Sequence, residues 1–393
     1  MGMRNKALCE ALARRSGTRP EDWYPVFKAR YGMEVAFEAI RRRQGDGSVL
    51  TQLFTCSTAV DPIIAAGLAP CYADVDRDTL SIDMRSLPSS EDNATRVVML
   101  QHTFGIVDAA SSRAIADAAH GMNALVMEDC AHCVTRLARD GRTGNPLADI
   151  SVHSFGVEKI LPTRFGGAIW INPSLSRTHP RLDAELRTRL DELPTPGVRL
   201  DMVTRLYVNQ NRVFSRLGGL GAALRKACTG IGWYEPPIAD CEREGRLAYP
   251  AYGVTPWIAD RAVRALEDLD ANESGRKAVV ELYRNALAGA KGLYLPESVV
   301  RGDAQPLLRF PVLAADTDMA ERLIAAVRRT GALAERWYRP ELFPGATNEV
   351  AYGLDRLDRG TVRVSDELAS RVLVLPTELS EGRARTVVRA LLD

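Results

Sequence analysis

Lysine is scarce in this chain. Only Lys6, Lys28, Lys159, Lys226, Lys277 and Lys291 are lysine among fifty-one basic residues, and the other forty-five are arginine. Because arginine carries surface charge as well as lysine does, each surviving lysine invites a chemical reason, and between Lys28 and Lys226 there is a single one. An excess of either charge is also missing. With 51 basic and 50 acidic residues the formal net charge is +1, which excludes the positive field that phosphate-backbone binding needs, so no nucleic-acid partner is expected. No apolar run reaches the roughly 18–20 residues that cross a bilayer, and the opening MGMRNKALCEALARR lacks the apolar core of a secretory signal. No membrane association and a cytoplasmic location are therefore expected. Seven cysteines, an odd number spread over 393 residues, do not form a disulfide framework and suit a reducing compartment, where most would serve as small buried hydrophobes.

What is present is the material of a large globular enzyme. The length suits one sizeable α/β unit with a second, smaller domain, and 46% hydrophobic with 26% charged residues excludes disorder and fibrous repeats. After a helix-and-loop start over the first thirty residues, an amphipathic helix is read at 32–43. Short β-rich runs follow at 48–54, 69–74, 96–101, 124–128, 150–155 and 167–172, separated mostly by helical stretches such as 57–66 and 108–121. This rhythm predicts a mostly parallel sheet flanked by helices. Residues 173–250 turn Arg-rich and helical and read as an insertion. A long helix at 257–289, a strand at 307–313, a helix at 317–330, the strand VLVLP at 372–376 and a helix at 379–392 then predict a smaller α+β domain. The expected division is 1–250 for the large domain and 251–393 for the small one. RLGGLGAAL at 216–224 lacks the third glycine and the preceding strand of a dinucleotide fingerprint.

In an open parallel sheet, ligands sit beyond the carboxyl ends of the strands. Two such ends stand out: ALVMED delivers Glu128 and Asp129, and HSFGVEK delivers His153, Ser154 and Lys159. Singly, Asp129 reads equally as a turn or cap residue, and Lys159 beside Glu158 as a solvated ion pair. Jointly they meet one chemical need, because amine transfer requires a lysine to bind an aldehyde cofactor and a carboxylate to keep a pyridine nitrogen protonated.

The stretch LAPCYADVDRDTLSID, then QHTFG, then EDCAH…GRTGNPLADISVHSFGVEKILPTRFGGAIW, resembles the DegT family of pyridoxal-phosphate-dependent sugar aminotransferases. SDELASRVLVLPTELSEGRARTVVRAL is similar to that family's closing strand and helix. The resemblance implies a large pyridoxal-phosphate-binding domain, transfer of an amino group from an amino-acid donor such as glutamate to a keto-sugar, nucleotide-linked in that family's manner, and a homodimer with its sites at the interface. It implies Lys159 as the Schiff-base lysine, Asp129 under the pyridine nitrogen, His132 near the ring hydroxyl and Ser154 at the phosphate. Gly32 and Met33 fall where the family has Gly-Thr at a helix start, whose N–H groups favour a phosphate.

Three departures accompany the likeness. Cys56, in FTCS, stands where the family places an aromatic on the cofactor ring, so stacking is expected to be weaker or to come from elsewhere, with Phe54 as a candidate. Met33 removes a hydroxyl from the phosphate cradle. GVTP at 253–256 replaces an Asn-Tyr-Arg turn that reaches the neighbouring subunit. These departures keep open a keto-cyclitol or other acceptor, a different reaction on the same cofactor, and a non-catalytic sugar-binding regulator. His132 with Cys130 and Cys133 makes one Cys-x-x-Cys with no second pair, and no metal is expected. His102 reads as a core histidine.

Overall fold

The computed structural model describes residues 5–87 and 94–393. Seven strands form the main sheet: β1 (Trp23–Val26), β2 (Ser48–Gln52), β3 (Ala69–Ala73), β4 (Thr95–Gln101), β5 (Leu125–Asp129), β6 (Ile150–Ser154) and β7 (Gly167–Ile171), in the spatial order β1-β7-β6-β5-β4-β2-β3. The pairs among β3, β2, β4, β5 and β6 are parallel; β7 runs antiparallel to both its neighbours. Nearly continuous apolar runs are needed because both faces are covered. Alternate side chains divide accordingly. Val97 and Met99 pack with Ala36, Phe37 and Ile40 of the Ala29–Gln44 helix, whereas Val98 and Leu100 pack with Ile115 and Ala119 of the Ala109–Gly121 helix.

A second sheet of β8 (Leu293–Tyr294), β9 (Arg309–Ala314) and β10 (Val372–Pro376) is antiparallel in the order β10-β9-β8. The Leu269–Leu287, Thr317–Arg329 and Glu381–Leu392 helices contribute Val279, Val280, Ile324, Val327, Val387 and Leu391 to its core. That apolar cluster also takes in Phe54 and Phe104 from beside the main sheet, so the two sheets share buried surface.

The structure differs from the sequence reading in three places. Trp23–Val26, expected as loop, is an edge strand paired with β7, and Pro25 is tolerated because an edge strand need not donate on both sides. The helix read at 257–289 is two helices, Pro256–Glu267 and Leu269–Leu287, divided at Asp268. Within 173–250 the Pro180–Asp191 helix buries Leu182, Leu186 and Leu190 against the core of the Ala29–Gln44 helix, so it belongs to the packing of the main sheet. The Val198–Arg216 and Gly218–Gly230 helices follow, the second containing GGLG as ordinary helix.

His153 lies in β6 with no exposed surface. Its Nδ1 accepts the Thr135 N–H at 3.1 Å and its Nε2 meets Ser151 Oγ at 2.9 Å, so the ring is held neutral. Burial, aided by His102, pushes its pKa down to about 3. Because the unfolded chain then binds the extra proton near pH 6.5 and the folded chain does not, stability is lost as pH falls from about 6.5 towards 3. Between neutral pH and pH 5 this one ring should account for roughly 2 kcal/mol. Urea unfolding of the wild type and of His153→Gln at both pH values checks it: the variant's stability should change less with pH.

Candidate active site

The carboxyl ends of β4, β5 and β6 lie level because Gln101 pairs with Asp129 and Asp129 with Val152. A cleft of about 210 Å³ opens there, and Met33, Cys56, Asp129, His132, Ser154 and Lys159 all line it. Residues up to 126 positions apart in the chain are thus brought to one place by strand register.

Asp129 is the last residue of β5. Its Oδ1 accepts the Ala131 N–H at 2.9 Å and its Oδ2 the Gln101 side-chain amide at 3.3 Å, while the same amide nitrogen donates to Thr55 Oγ1 at 2.8 Å. The carboxylate is therefore aimed by two donors. His132 stands three residues on. Phe104 N–H donates to its Nδ1 at 3.1 Å, so the ring proton resides on Nε2. Burial first, then Lys159 and Arg309, hold its pKa well below the ordinary histidine range. A neutral imidazole with one N–H is what a phenolate-like oxygen would accept from.

Lys159 lies in the turn after β6, its backbone N–H donating to Gly156 O at 3.1 Å. Among the described residues it makes no ion pair with Glu158, whose side chain is exposed. Burial pushes the Lys159 ammonium below the usual lysine range, partly opposed by Cys56, Asp129 and Glu158. A larger share of free amine at neutral pH follows, as a nucleophile or base requires.

Two expectations about the site need correction. Gly32 and Met33 do not begin a helix: it starts at Ala29, directly after β1, with Lys28 in extended conformation as its cap. Gly32 lies one turn in, its N–H directed at Lys28 O, and a Cβ there would come within 2.8 Å of Ile169. Its glycine serves close packing of helix on sheet, and it does not reach the cleft. Ala29 and Arg30 do line the cleft, and their N–H groups precede the first intrahelical acceptor. Gly167 permits this placement, since a Cβ there would meet Ala29 Cβ at 2.8 Å.

Phe54 is the second correction. It is fully buried and edge-on to Phe104 and Tyr338, outside the cleft lining. The aromatics that do line the cleft are Trp337, Tyr338 and Phe343, together with Phe165 and Tyr207. Trp337 lies nearly parallel to His132 at 5.7 Å, and Lys159 Nζ is 5.9 Å from its ring centroid. Its segment is pinned to the FTCS turn: Phe343 N–H donates to Thr55 O and Ser57 N–H to Phe343 O, both at 3.0 Å. Cys56 forms the parallel backbone bridge with Phe343 there.

Sequence reasoning also passed over Lys28 and Arg30, which line the cleft. Lys28 Nζ is 2.5 Å from Glu235 Oε1, and Arg30 Nη1 is 2.5 Å from Glu242 Oε2. Reading WYPV as a strand would have set the helix start at Ala29 and exposed both. Trp337 had no local signal. GVTP does not line the cleft: Gly253 bridges to Val26, and Thr255 Oγ1 caps the Pro256–Glu267 helix. His102 is buried as expected, its Nε2 2.7 Å from Glu128 Oε1, and it also borders the cleft.

The residues present fit a phosphorylated pyridine aldehyde. A carboxylate, a neutral imidazole N–H, a buried amine, a serine hydroxyl and a helix N-terminus converge on one cleft with an aromatic wall.

Residues 26–183 match the model of the DegT/DnrJ/EryC1/StrS aminotransferase family. L-glutamine:2-deoxy-scyllo-inosose aminotransferase of Streptoalloteichus tenebrarius is 30% identical over 189 residues, 44% of this chain and 43% of that one. GDP-perosamine synthase of Vibrio cholerae is 27% identical over 258 residues, 65% and 56% of the two chains. The chain thus spans about half the length of the curated relatives it matches. In three dimensions it is similar to the aminotransferase TlmJ of Streptoalloteichus hindustanus, with a TM-score of 0.69 at 20% identity, covering 100% of this chain and 90% of that one. It is also similar to NtdA of Bacillus subtilis, described with bound cofactor PMP, with a TM-score of 0.70 at 15% identity, covering 100% and 77%. At those identities the structural likeness speaks for the fold alone. Residues 26–183 are thus similar to the DegT/DnrJ/EryC1/StrS aminotransferase family.

Proposed function

We propose that the protein is a pyridoxal-phosphate-dependent aminotransferase that moves an amino group from an amino-acid donor to a keto-sugar. One observation carries this reading: Lys159, in the turn after β6, and the Asp129 carboxylate line the same cleft. When bound, the cofactor supplies the electron sink that makes a carbon next to an amine acidic. Asp129 holds the ring nitrogen protonated, oriented by Ala131 and Gln101. His132 donates from Nε2 to the ring oxygen. Ser154 and the first N–H groups of the Ala29–Gln44 helix receive the phosphate. Lys159 Nζ would hold the aldehyde carbon, and as a free amine it would serve as the base at the donor's α-carbon.

The acceptor in this reading is a keto-sugar of the kind processed by the relative named GDP-perosamine synthase. A keto-cyclitol, with glutamine as donor, is the second reading, because several relatives are named for 2-deoxy-scyllo-inosose. Incubating the holoenzyme with each donor, and then with each class of acceptor, separates the readings. Spectral conversion to the aminated cofactor with glutamate or glutamine supports transamination; no conversion with any amino acid refutes it. We also propose a homodimer in the cytoplasm. Among the described residues no helix is long and apolar enough to cross a membrane, and the seven cysteines are free. Elution as a fully active monomer would refute the dimer.

Trp337 takes the wall position that the family gives to the residue at Cys56. Trp337→Ala should weaken cofactor binding about 2–10-fold, the worth of one aromatic stack. Titrating the apoenzyme with pyridoxal phosphate, followed by equilibrium dialysis, measures it; Phe54→Leu should leave the affinity unchanged.

A further inference from the structure

The strand register that aligns Gln101 with Asp129 has a second consequence one residue further on. It brings His102, at the end of β4, beside Cys130, at the end of β5. One ring nitrogen of His102 and the sulfurs of Cys130 and Cys133 lie within 4.8 Å of one another, and all three residues are buried. Both thiols point at a single acceptor, the Arg136 carbonyl oxygen, at 3.6 and 3.7 Å. The histidine next to these cysteines in sequence is not involved. His132 turns its Nδ1 to the Phe104 N–H and its ring to Trp337.

We propose that His102, Cys130 and Cys133 form a binding site for a thiophilic divalent cation, Zn²⁺ above all, which pins the turn carrying Asp129 and His132. Two thiolates and an imidazole are the donor types that zinc selects. Around a tetrahedral zinc, sulfur ligands are about 3.8 Å apart, so closing the present triangle requires shifts of about 1 Å. His102 is already oriented for the task. Its Nε2–H is directed at Glu128 Oε1 at 2.7 Å, leaving Nδ1 to coordinate, the carboxylate–histidine pairing that commonly supports a metal ligand.

Glu128 supplies the independent sign. Its side chain has no exposed surface, Oε1 also accepts the Ala138 N–H at 2.5 Å, and Oε2 is buried with no hydrogen-bond partner. A buried carboxylate oxygen without a donor is costly, and a nearby cation relieves it. Binding displaces the two thiol protons to solvent, so the cation, two thiolates, Glu128 and the adjacent Arg136 guanidinium sum to zero charge. Of the three residues, His102 also borders the cleft.

The test uses the whole protein, prepared without chelator and assayed for metal by mass spectrometry. About one zinc per chain is expected. After removal of that metal, added Co²⁺ should give thiolate-bound cobalt absorption at wavelengths beyond the cofactor's own band. Cys133→Ser should abolish it, and Cys71→Ser, at an exposed cysteine, should not. Glu128→Gln keeps the side-chain shape and should weaken Zn²⁺ binding about 10–100-fold. Wild-type protein that takes up neither metal, a Cys130–Cys133 disulfide in its place, or metal binding retained by Cys133→Ser would each overturn the proposal. Zinc uptake is read without turnover, so failure here leaves the aminotransferase reading standing, and the reverse also holds.

Discussion

Lys159→Ala is expected to abolish the visible absorbance of the bound aldehyde and to reduce turnover by at least about 10⁴-fold. The loss is large because one nitrogen serves twice, as the covalent anchor and as the base at the donor's α-carbon. No other lysine can substitute: Lys28, the other lysine bordering the cleft, is buried against Glu235 and sits among the Tyr31, Phe165 and Tyr249 rings. Lys159→Arg should be as inactive as the alanine variant, since arginine keeps the charge and offers no free amine. Cofactor should still bind non-covalently through Ser154, Asp129 and the helix start, and dialysis would then remove it. If the visible band persisted in Lys159→Ala, the assignment of this residue would be wrong.

The pH course follows from the same burial. Because the surroundings of Lys159 lower its pKa, the free amine becomes available at lower pH than for an ordinary lysine. Attachment of added cofactor to the apoenzyme should therefore gain rate at lower pH than the amine of an ordinary lysine would allow. A rate that climbed only near pH 10 would show that burial has no such effect.

Asp129→Asn is expected to lower turnover about 10²–10³-fold while leaving the fold intact. Asparagine can accept the Ala131 N–H through its own oxygen, so the local turn keeps its hydrogen bond. What it loses is the negative charge opposite the ring nitrogen, whose value is realised as the electron-rich state develops. The signature is a loss in kcat much larger than any change in KM for the donor, with unchanged thermal unfolding. A comparable fall in melting temperature would mean that Asp129 serves mainly as a turn residue, the alternative that its sequence position left open. Gln101→Leu offers a graded control: it removes one aiming donor at 3.3 Å and should cost less than Asp129→Asn.

Much of this architecture was legible in the chain itself. Apolar runs buried on both faces mark strands by composition, and VLVLP at 372–376 coincides with β10 to the residue. Asp129, Ser154 and Lys159 share one cleft because residues at strand ends in a parallel sheet have only one side on which to meet. Lysine scarcity then singled out one amine. These are local properties, set by what each segment can bury and by the chemistry its termini carry.

Only the folded chain decided what depends on partners distant in sequence. A four-residue strand containing Pro25 has no periodicity of its own, and it becomes a strand because β7 offers an edge; that edge then fixes the helix start at Ala29 and places the free amides of its first turn ahead of Gly32. Trp337 reaches the cleft from a loop whose neighbours in space are the FTCS turn and His132, more than 200 positions earlier in the chain. The choice of His102 over His132 as the companion of the two thiols came from β4–β5 register, which no spacing within EDCAHC encodes. Composition and pattern determine which elements form, because their free energy is mostly local burial; the identity of side chains facing one another across a cleft is set by packing between elements, where separation along the chain carries no information.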